Sequence, residues 1–507
     1  MSTAAKTAKS TTRQFVLLPD RGLVSESLRS VSSSDTTFTR ALSVRRRGAS
    51  GGPGLNVLHS SRDDGAKLVT MADDEVSALR VSHPGVRAVP LMYYRSLRNE
   101  PLRVETAATV SATAKAQGIT LKLVEAKTGK PVKGATVVAF TNFTQRVGAQ
   151  GKTGAQGTVT LKFSGTSKPL DLLLVYGPSG YWGLCQRTLK IKSGDIFKIQ
   201  AVDLTVPDFA AQLYAPLPAS AGSGVSVGVI DTGVDFNHPD LTVTGGAAFV
   251  QAEGDAGGYG PAKKEGEHGT HVAGIIASHG NAPKGKRGVA PAVTLHSYRV
   301  FPNAGGGASN YDILRAIDRG VTDGCDLLNL SLGSPQPDAA VHEAIKNAFD
   351  KGTVCIIATG NDGRQPVSYP AAWSEAVAVS AIGRKGSYPA GSTETLDETA
   401  PFATQDKTIF VADFSNIGNE VDLTGPGVGI VSTLPGGSYG VMSGTSMATP
   451  AAVGAAAAAL ARHPDVLAMP RNRARATAII GVINQTAVAL GLGKTFEGLG
   501  LLKPSLL

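Results

Sequence analysis

Cysteine is scarce in this chain. Only Cys185, Cys325 and Cys355 occur among 507 residues, an odd number without the spacing of metal ligands. That excludes a disulfide framework and a cysteine-built zinc site. Cys355 sits in the apolar run Val354–Ile357, where a buried free thiol is expected. Aromatic residues make up only 6% of the chain, and no basic-aromatic module is present. The net charge of +9, including the run Arg45-Arg46-Arg47, therefore reads as a solvated surface and not as a nucleic-acid interface. Long apolar runs are missing as well. The longest, Ala451–Ala461, falls far short of the roughly 20 residues of a membrane-spanning helix. Met1-Ser2-Thr3-Ala4-Ala5-Lys6 leads into no apolar core, so no conventional secretory signal is expected. A cytoplasmic location, or export by another route, follows as the expectation.

What remains divides into five stretches. Residues 1–12 have the composition of a disordered lead. Residues 13–100 alternate between strand and helix signals: Phe15-Val16-Leu17-Leu18 opens, and the Ser/Arg/Gly-rich stretch Ser30–Gly54 interrupts. Two apolar runs, Leu55–Leu58 and Lys67–Thr70, then flank the turn signal Asp64-Gly65. Asp73-Asp74-Glu75 places acids in the first turn of a helix, where its dipole favours them, and Pro84-Gly85 ends it before a last strand at Val86–Leu91. A small α+β domain is predicted. Residues 101–116 read as linker. Residues 117–203 carry short β-rich runs, among them Ile119–Val124, Ala135–Phe140 and Leu172–Tyr176, separated by turns such as Gly151–Gly157. Their spacing predicts a β-sandwich. From 204 to 507, buried strands alternate with helical segments, the pattern of an α/β fold with a mostly parallel sheet and helices on both faces.

Three runs of small residues in this last stretch carry chemistry. They are Asp231-Thr232-Gly233, His268-Gly269-Thr270-His271-Val272-Ala273-Gly274 and Gly444-Thr445-Ser446-Met447-Ala448-Thr449-Pro450. A hydroxyl is a weak nucleophile until an imidazole takes its proton, and the imidazole needs a carboxylate to orient it. Asp231 closes the apolar strand Val225–Ile230, at the carboxyl end where parallel sheets build sites. Ser446 opens an Ala-rich helix, whose N-terminus favours developing negative charge. His268 and His271 lack the Glu and later His of a zinc-peptidase run.

The order Asp, His, Ser and these three runs resemble the subtilisin-like serine peptidases, the subtilases, over nearly all of Gly224–Lys503. The resemblance implies a serine endopeptidase acting through an acyl-enzyme, with Asp231 as orienting carboxylate, His268 as general base and Ser446 as nucleophile. His271 falls on a non-catalytic position. Ala358-Thr359-Gly360-Asn361-Asp362-Gly363 resembles the oxyanion segment, which makes Asn361 the amide donor. Gly305, Gly306 and Gly307, with Ala308 and Ser309, and the segment Leu330-Ser331-Leu332-Gly333 match the strands that pair with a substrate backbone. Ser331, Leu332, Gly333, Ala358, Gly360 and Ser368 would line a roomy, largely apolar first pocket, with Asp362 at its rim admitting Lys or Arg. One departure is Ala451, where the family usually carries His.

Asp240 matches a position that ligates structural calcium in many subtilases. The companion loop His279–Arg287, however, carries Lys284, Lys286 and Arg287, and no cofactor is expected. The small α+β domain resembles the inhibitor propeptide of the family, which would make the protein's own N-terminal domain a partner beside a peptide or protein substrate. Its last strand, near Val86–Tyr94, would lie in the cleft. A cut near Tyr94–Pro101 is favoured over one near Val202–Pro207, because Ser96–Gln117 has linker composition. The run Thr128–Ala135 with Gly157-Thr158-Val159 resembles prealbumin-like sandwich modules.

Overall fold

The computed structural model describes residues 12–29, 31, 55–108, 118–255 and 258–504. The expected lead up to residue 11, most of the insert at 30–54 and the later part of the expected linker lie outside the described residues.

The first apolar run becomes the strand Thr12–Pro19, the second from one edge of a four-stranded sheet. Side chains alternate across a strand, and here both faces find apolar cover. Phe15 and Leu17 pack with Leu79 of the helix Asp73–Ser82, whereas Val16 and Leu18 join a separate cluster with Tyr311, Leu314, Ala340 and Ala344. Those last residues belong to the helices Asn310–Thr322 and Ala339–Asp350 of the α/β region. The small sheet therefore lies flat on two helices. Arg62–Asp318 and Arg87–Glu343 ion pairs, at 2.5 and 3.4 Å, rim the contact.

Residues 119–199 form a three-stranded sheet and four strands of a five-stranded one, which share one apolar cluster including Leu121, Val137, Val159, Leu173 and Ile199. Val147–Lys152 is a strand as well, although its glycines and polar residues gave no strand signal. Thr106–Ala107, expected in the linker, pairs in parallel with Val147 and Gly148 at the edge of the larger sheet. Trp182 reaches out of these sheets into the main core of the α/β region.

That region is organised by an eleven-stranded sheet. From one edge it runs Val243–Ala248, Thr294–Arg299, Ser226–Asp231, Leu327–Leu330, Val354–Ala358, Ala376–Arg384 and Leu423–Pro426, all parallel. The central strand Val354–Ala358 is apolar throughout because helices cover both faces, whereas the edge strand Val243–Ala248 is largely half-exposed. The helix Thr445–Leu460 is buried along its whole length, and its alanines allow close approach: a Cβ on Gly425 would meet the Ala448 carbonyl oxygen at 2.6 Å. Pro450, the sixth residue of that helix, leaves the Ser446 carbonyl without its intrahelical amide, and Ser331 Oγ donates to that oxygen instead at 3.1 Å. Cys325 and Cys355 are buried free thiols, while Cys185 is only half-buried.

Candidate active site

Asp231 ends its strand, His268 lies in the first turn of the helix Glu267–Ala277, and Ser446 lies in the first turn of Thr445–Leu460. His268 Nδ1 meets Asp231 Oδ1 at 2.7 Å, and the same oxygen accepts from the Thr232 amide at 2.6 Å. A carboxylate can only accept, so Nδ1 carries the proton and Nε2 is left with a lone pair. That Nε2 is buried and has no hydrogen-bond partner among the described residues. Ser446 Oγ donates to the Ser331 carbonyl oxygen at 3.1 Å, while Ser331 Oγ donates back to the Ser446 carbonyl at 3.1 Å. All three side chains are shut off from solvent, with Asp231 and Ser446 at 0% and His268 at 1% exposure.

The chain's own residues 93–99 supply the cover. Tyr93–Ser96 enters as a middle strand: Tyr94 and Tyr93 pair with Ala308 and Ser309, and Ser96 and Arg95 pair with Leu332 and Gly333, both antiparallel. The strand expected there was Val86–Tyr94. Val86–Pro90 instead stays in the four-stranded sheet against Thr12–Pro19, and the cleft strand begins at Tyr93. Leu97 follows it, with its amide donating to the Ser331 carbonyl at 3.1 Å. The Leu97 carbonyl oxygen then receives the Asn361 side-chain amide at 2.5 Å and the Ser446 backbone N–H at 3.1 Å. Asn361 is aimed by its other end, since its Oδ1 accepts from Thr445 N and Oγ1 at 2.9 and 2.8 Å. Gly444, at φ 153°, leaves room for this approach: a Cβ there would meet the Leu97 oxygen at 2.6 Å.

The residues expected to bind substrate fall into place unevenly. Gly333 and Ser368 face the Leu97 side chain, for a Cβ on Gly333 would lie 2.8 Å from both Leu97 Cδ1 and Ser368 Oγ. Gly360 backs the same slot, and Ala358 ends the buried strand behind it. Gly307 touches Tyr93 and Tyr94, whereas Gly305 and Gly306 form a turn beside the cleft, away from the pairing. Asp362 does not serve the first slot. It forms an ion pair with Arg95, two residues before Leu97.

Three partners of the cleft strand gave no motif signal. Tyr94 is buried with its hydroxyl on Asp338 Oδ2 at 3.2 Å, under the start of the helix that Asp338 caps. Burial, then Asp338, pushes the Tyr94 phenol up, and burial raises the Asp338 carboxyl. Past Leu97, Arg98 faces Glu267 at 3.5 Å, and Asn99 Nδ2 donates to Asp397 Oδ1 at 3.2 Å. A helix cap and two ordinary acids carry no sequence pattern that would have marked them.

His271 is also buried, but its Nε2–H donates to the Ile430 and Gly440 carbonyls at 3.1 and 3.2 Å, leading away from the Asp231–His268 pair. Burial, then its neighbour His268, pushes it down to about 3.

Asp240 does not fit a hard divalent cation. Its Oδ2 already accepts from the Lys286 amide at 2.9 Å and the Tyr439 hydroxyl at 2.6 Å. The Lys286 ammonium sits close by on Asp208, at 2.8 Å. Among the described residues, no group of three or more His, Cys, Asp or Glu side chains is placed to hold a metal ion. Nor is any described helix long and apolar enough to cross a membrane.

Residues 222–500 match the sequence profile described as the Subtilase family. Subtilisin NAT of Bacillus subtilis subsp. natto is 38% identical over 282 residues, 54% of this chain and 66% of that protein. Subtilisin of Bacillus pumilus is 38% identical over 282 residues and 92% of its length, and subtilisin BL of Lederbergia lenta is 38% identical over 265 residues and 86% of its length. The match with the first of these stops just short of two thirds of that protein, and in each case it covers little more than half of this chain. This chain belongs to the subtilase family, whose domain its residues 222–500 form.

Proposed function

We propose that the protein is a serine endopeptidase made in an inhibited form, which frees itself by cutting the Leu97–Arg98 bond. In this reading Ser446 Oγ attacks a substrate carbonyl carbon while His268 Nε2 takes its proton, and Asp231 holds the imidazolium. The oxyanion forms between Asn361 Nδ2 and the Ser446 N–H. His268 then gives its proton to the leaving amine, and water releases the acyl group by the reverse sequence. The attack requires Ser446 Oγ to leave the Ser331 carbonyl for the unpartnered His268 Nε2.

The observation that carries this reading is the Leu97 carbonyl, held by the two donors that an oxyanion would need. Residues 13–100 act as the inhibitor, because the four-stranded sheet docks on two helices and hands its tail directly to the cleft. The two sheets at 117–203 form a β-sandwich that stays with the catalytic part after the cut, since Trp182 is embedded in the main core. Labelling with a fluorophosphonate tests the reading. Stoichiometric modification of Ser446 in protein that has been cut, lost in His268→Ala, is the expected result. Stoichiometric modification of another serine contradicts it.

A further inference from the structure

Beyond the cleft the chain stays tied to the protein surface, with residues 100, 101, 103 and 105–107 exposed and the positions between them half-buried. Asn99 N donates to the Ser443 carbonyl at 2.7 Å, and the Asn99 side chain reaches Asp397. Leu102 N then donates to the Tyr176 hydroxyl at 2.9 Å, and Val104 N to Gln150 Oε1 at 2.9 Å. Glu105 N follows onto the Arg146 carbonyl at 3.0 Å, and Thr106–Ala107 pairs with Val147 and Gly148. Asp397 and Ser443 belong to the catalytic part, whereas Tyr176, Gln150 and Arg146 belong to the two-sheet module. A cavity of about 850 Å³ opens along this path, with Tyr176, Tyr181 and Arg187 on one side and Glu394, Asp397 and Met442 on the other.

The module is fixed firmly enough to serve as a wall. Trp182 lies in the main core, Leu396 packs into an apolar cluster with Phe140 and Leu172, and Cys185 N donates to the Gly391 carbonyl at 2.7 Å. The contacts are also of a kind suited to an extended peptide. Backbone N–H groups at several positions meet fixed acceptors, and such pairing accepts many sequences. Polar side chains are read at two positions, while Leu102 and Val104 pack on the apolar cluster around Phe140 and Leu172. The first residue after the bond places a guanidinium near Glu267, and the second offers an amide N–H to buried Asp397. Burial raises the Asp397 carboxyl well above its ordinary range, with Glu394 and Asp413 adding to the effect.

Resting on the reading that Ser446 cuts after Leu97, we propose that the two-sheet module is the second half of the substrate site. It binds the stretch of a protein substrate that follows the scissile bond, over about seven residues. It prefers a basic residue first and a side chain with an N–H donor second. In the uncut protein, residues 98–104 occupy this path in the same direction. After the cut they become a tethered competitor that an incoming substrate replaces, while Thr106–Ala107 keeps the tail in the sheet.

The test uses the full chain after its own cut, with substrates sharing the upstream residues Tyr-Arg-Ser-Leu. One ends in an anilide, one carries Arg-Asn and stops, one carries Arg-Asn within seven following residues, and one of that length carries Ala-Ala instead. The long Arg-Asn peptide should exceed both the short and the Ala-Ala peptide in kcat/KM by on the order of tenfold, the size of one or two net hydrogen bonds. Tyr176→Phe should lower the long-to-short ratio, and Asp397→Asn the ratio of Arg-Asn to Ala-Ala. Equal kcat/KM for long and short peptides in the wild type overturns the proposal, provided the anilide is hydrolysed. An anilide left intact overturns the peptidase reading itself, and this one with it.

Discussion

The Asn361 carboxamide donates to the carbonyl oxygen of Leu97 across 264 positions of sequence, at 2.5 Å. Both ends of that amide are engaged, since its oxygen accepts from Thr445 directly before Ser446. A donor fixed in this way needs no reorganisation when charge develops on the oxygen it faces.

Asn361→Leu should therefore lower kcat by about 10²–10³ with a much smaller change in KM, because the amide matters most once the oxyanion forms. Steady-state kinetics on a peptide anilide measures the split. An unchanged kcat removes Asn361 from the chemistry.

Gly333 borders the slot that holds Leu97, and a Cβ there would stand 2.8 Å from the leucine. Gly333→Val should fill the slot and reverse the preference from Leu to Ala before the scissile bond. Comparing kcat/KM for anilides ending in Leu and in Ala checks this, and an unaltered Leu preference places the slot elsewhere.

The grouping of the motif residues around one cleft was legible in the sequence because each motif is local. Asp231, His268, Asn361 and Ser446 each sit in a short run of small residues, at a strand end or a helix start. Alternating strands and helices in 204–507 were legible for the same reason. The partners of the cleft strand were not. Tyr94 meets Asp338 at 244 positions' separation and Arg95 meets Asp362 at 267, and no periodicity reports such pairs. Asp362 reads as a pocket rim until the register shows that it faces Arg95. The strand Val147–Lys152 was hidden by Gly148 and Gly151, which suit close packing: a Cβ on Gly148 would meet the Ala139 carbonyl oxygen at 2.1 Å.

Lys286 offers a test of the region around Asp240. Its ammonium pairs with Asp208, which is 1% exposed and also caps the helix Phe209–Tyr214. Lys286→Met should leave that carboxylate buried and uncompensated, at a cost of roughly 3–5 kcal/mol in denaturant unfolding. With this cation in place, EDTA should leave the wild-type Tm unchanged. A drop of many degrees on chelation contradicts the account.

His271 stays neutral in the folded protein down to about 3, against an ordinary 6.5, because it is buried. Between those values the unfolded chain binds a proton that the native one refuses. Stability is therefore full above the ordinary value and falls as pH drops, by up to about 1.4 kcal/mol per pH unit for one such group. Replacing His271 with Gln in the Ser446→Ala protein should flatten the dependence of unfolding free energy on pH across this window. An unchanged slope assigns the acid sensitivity to other groups.

Self-cutting at one named bond is the central claim, and intact mass measurement of the purified chain tests it most directly. Wild-type protein should separate into two species that divide between Leu97 and Arg98, with Arg98 as the new N-terminus. Ser446→Ala should remain full length under the same conditions. A cut at another bond, or the same cut in Ser446→Ala free of other proteases, would contradict the account.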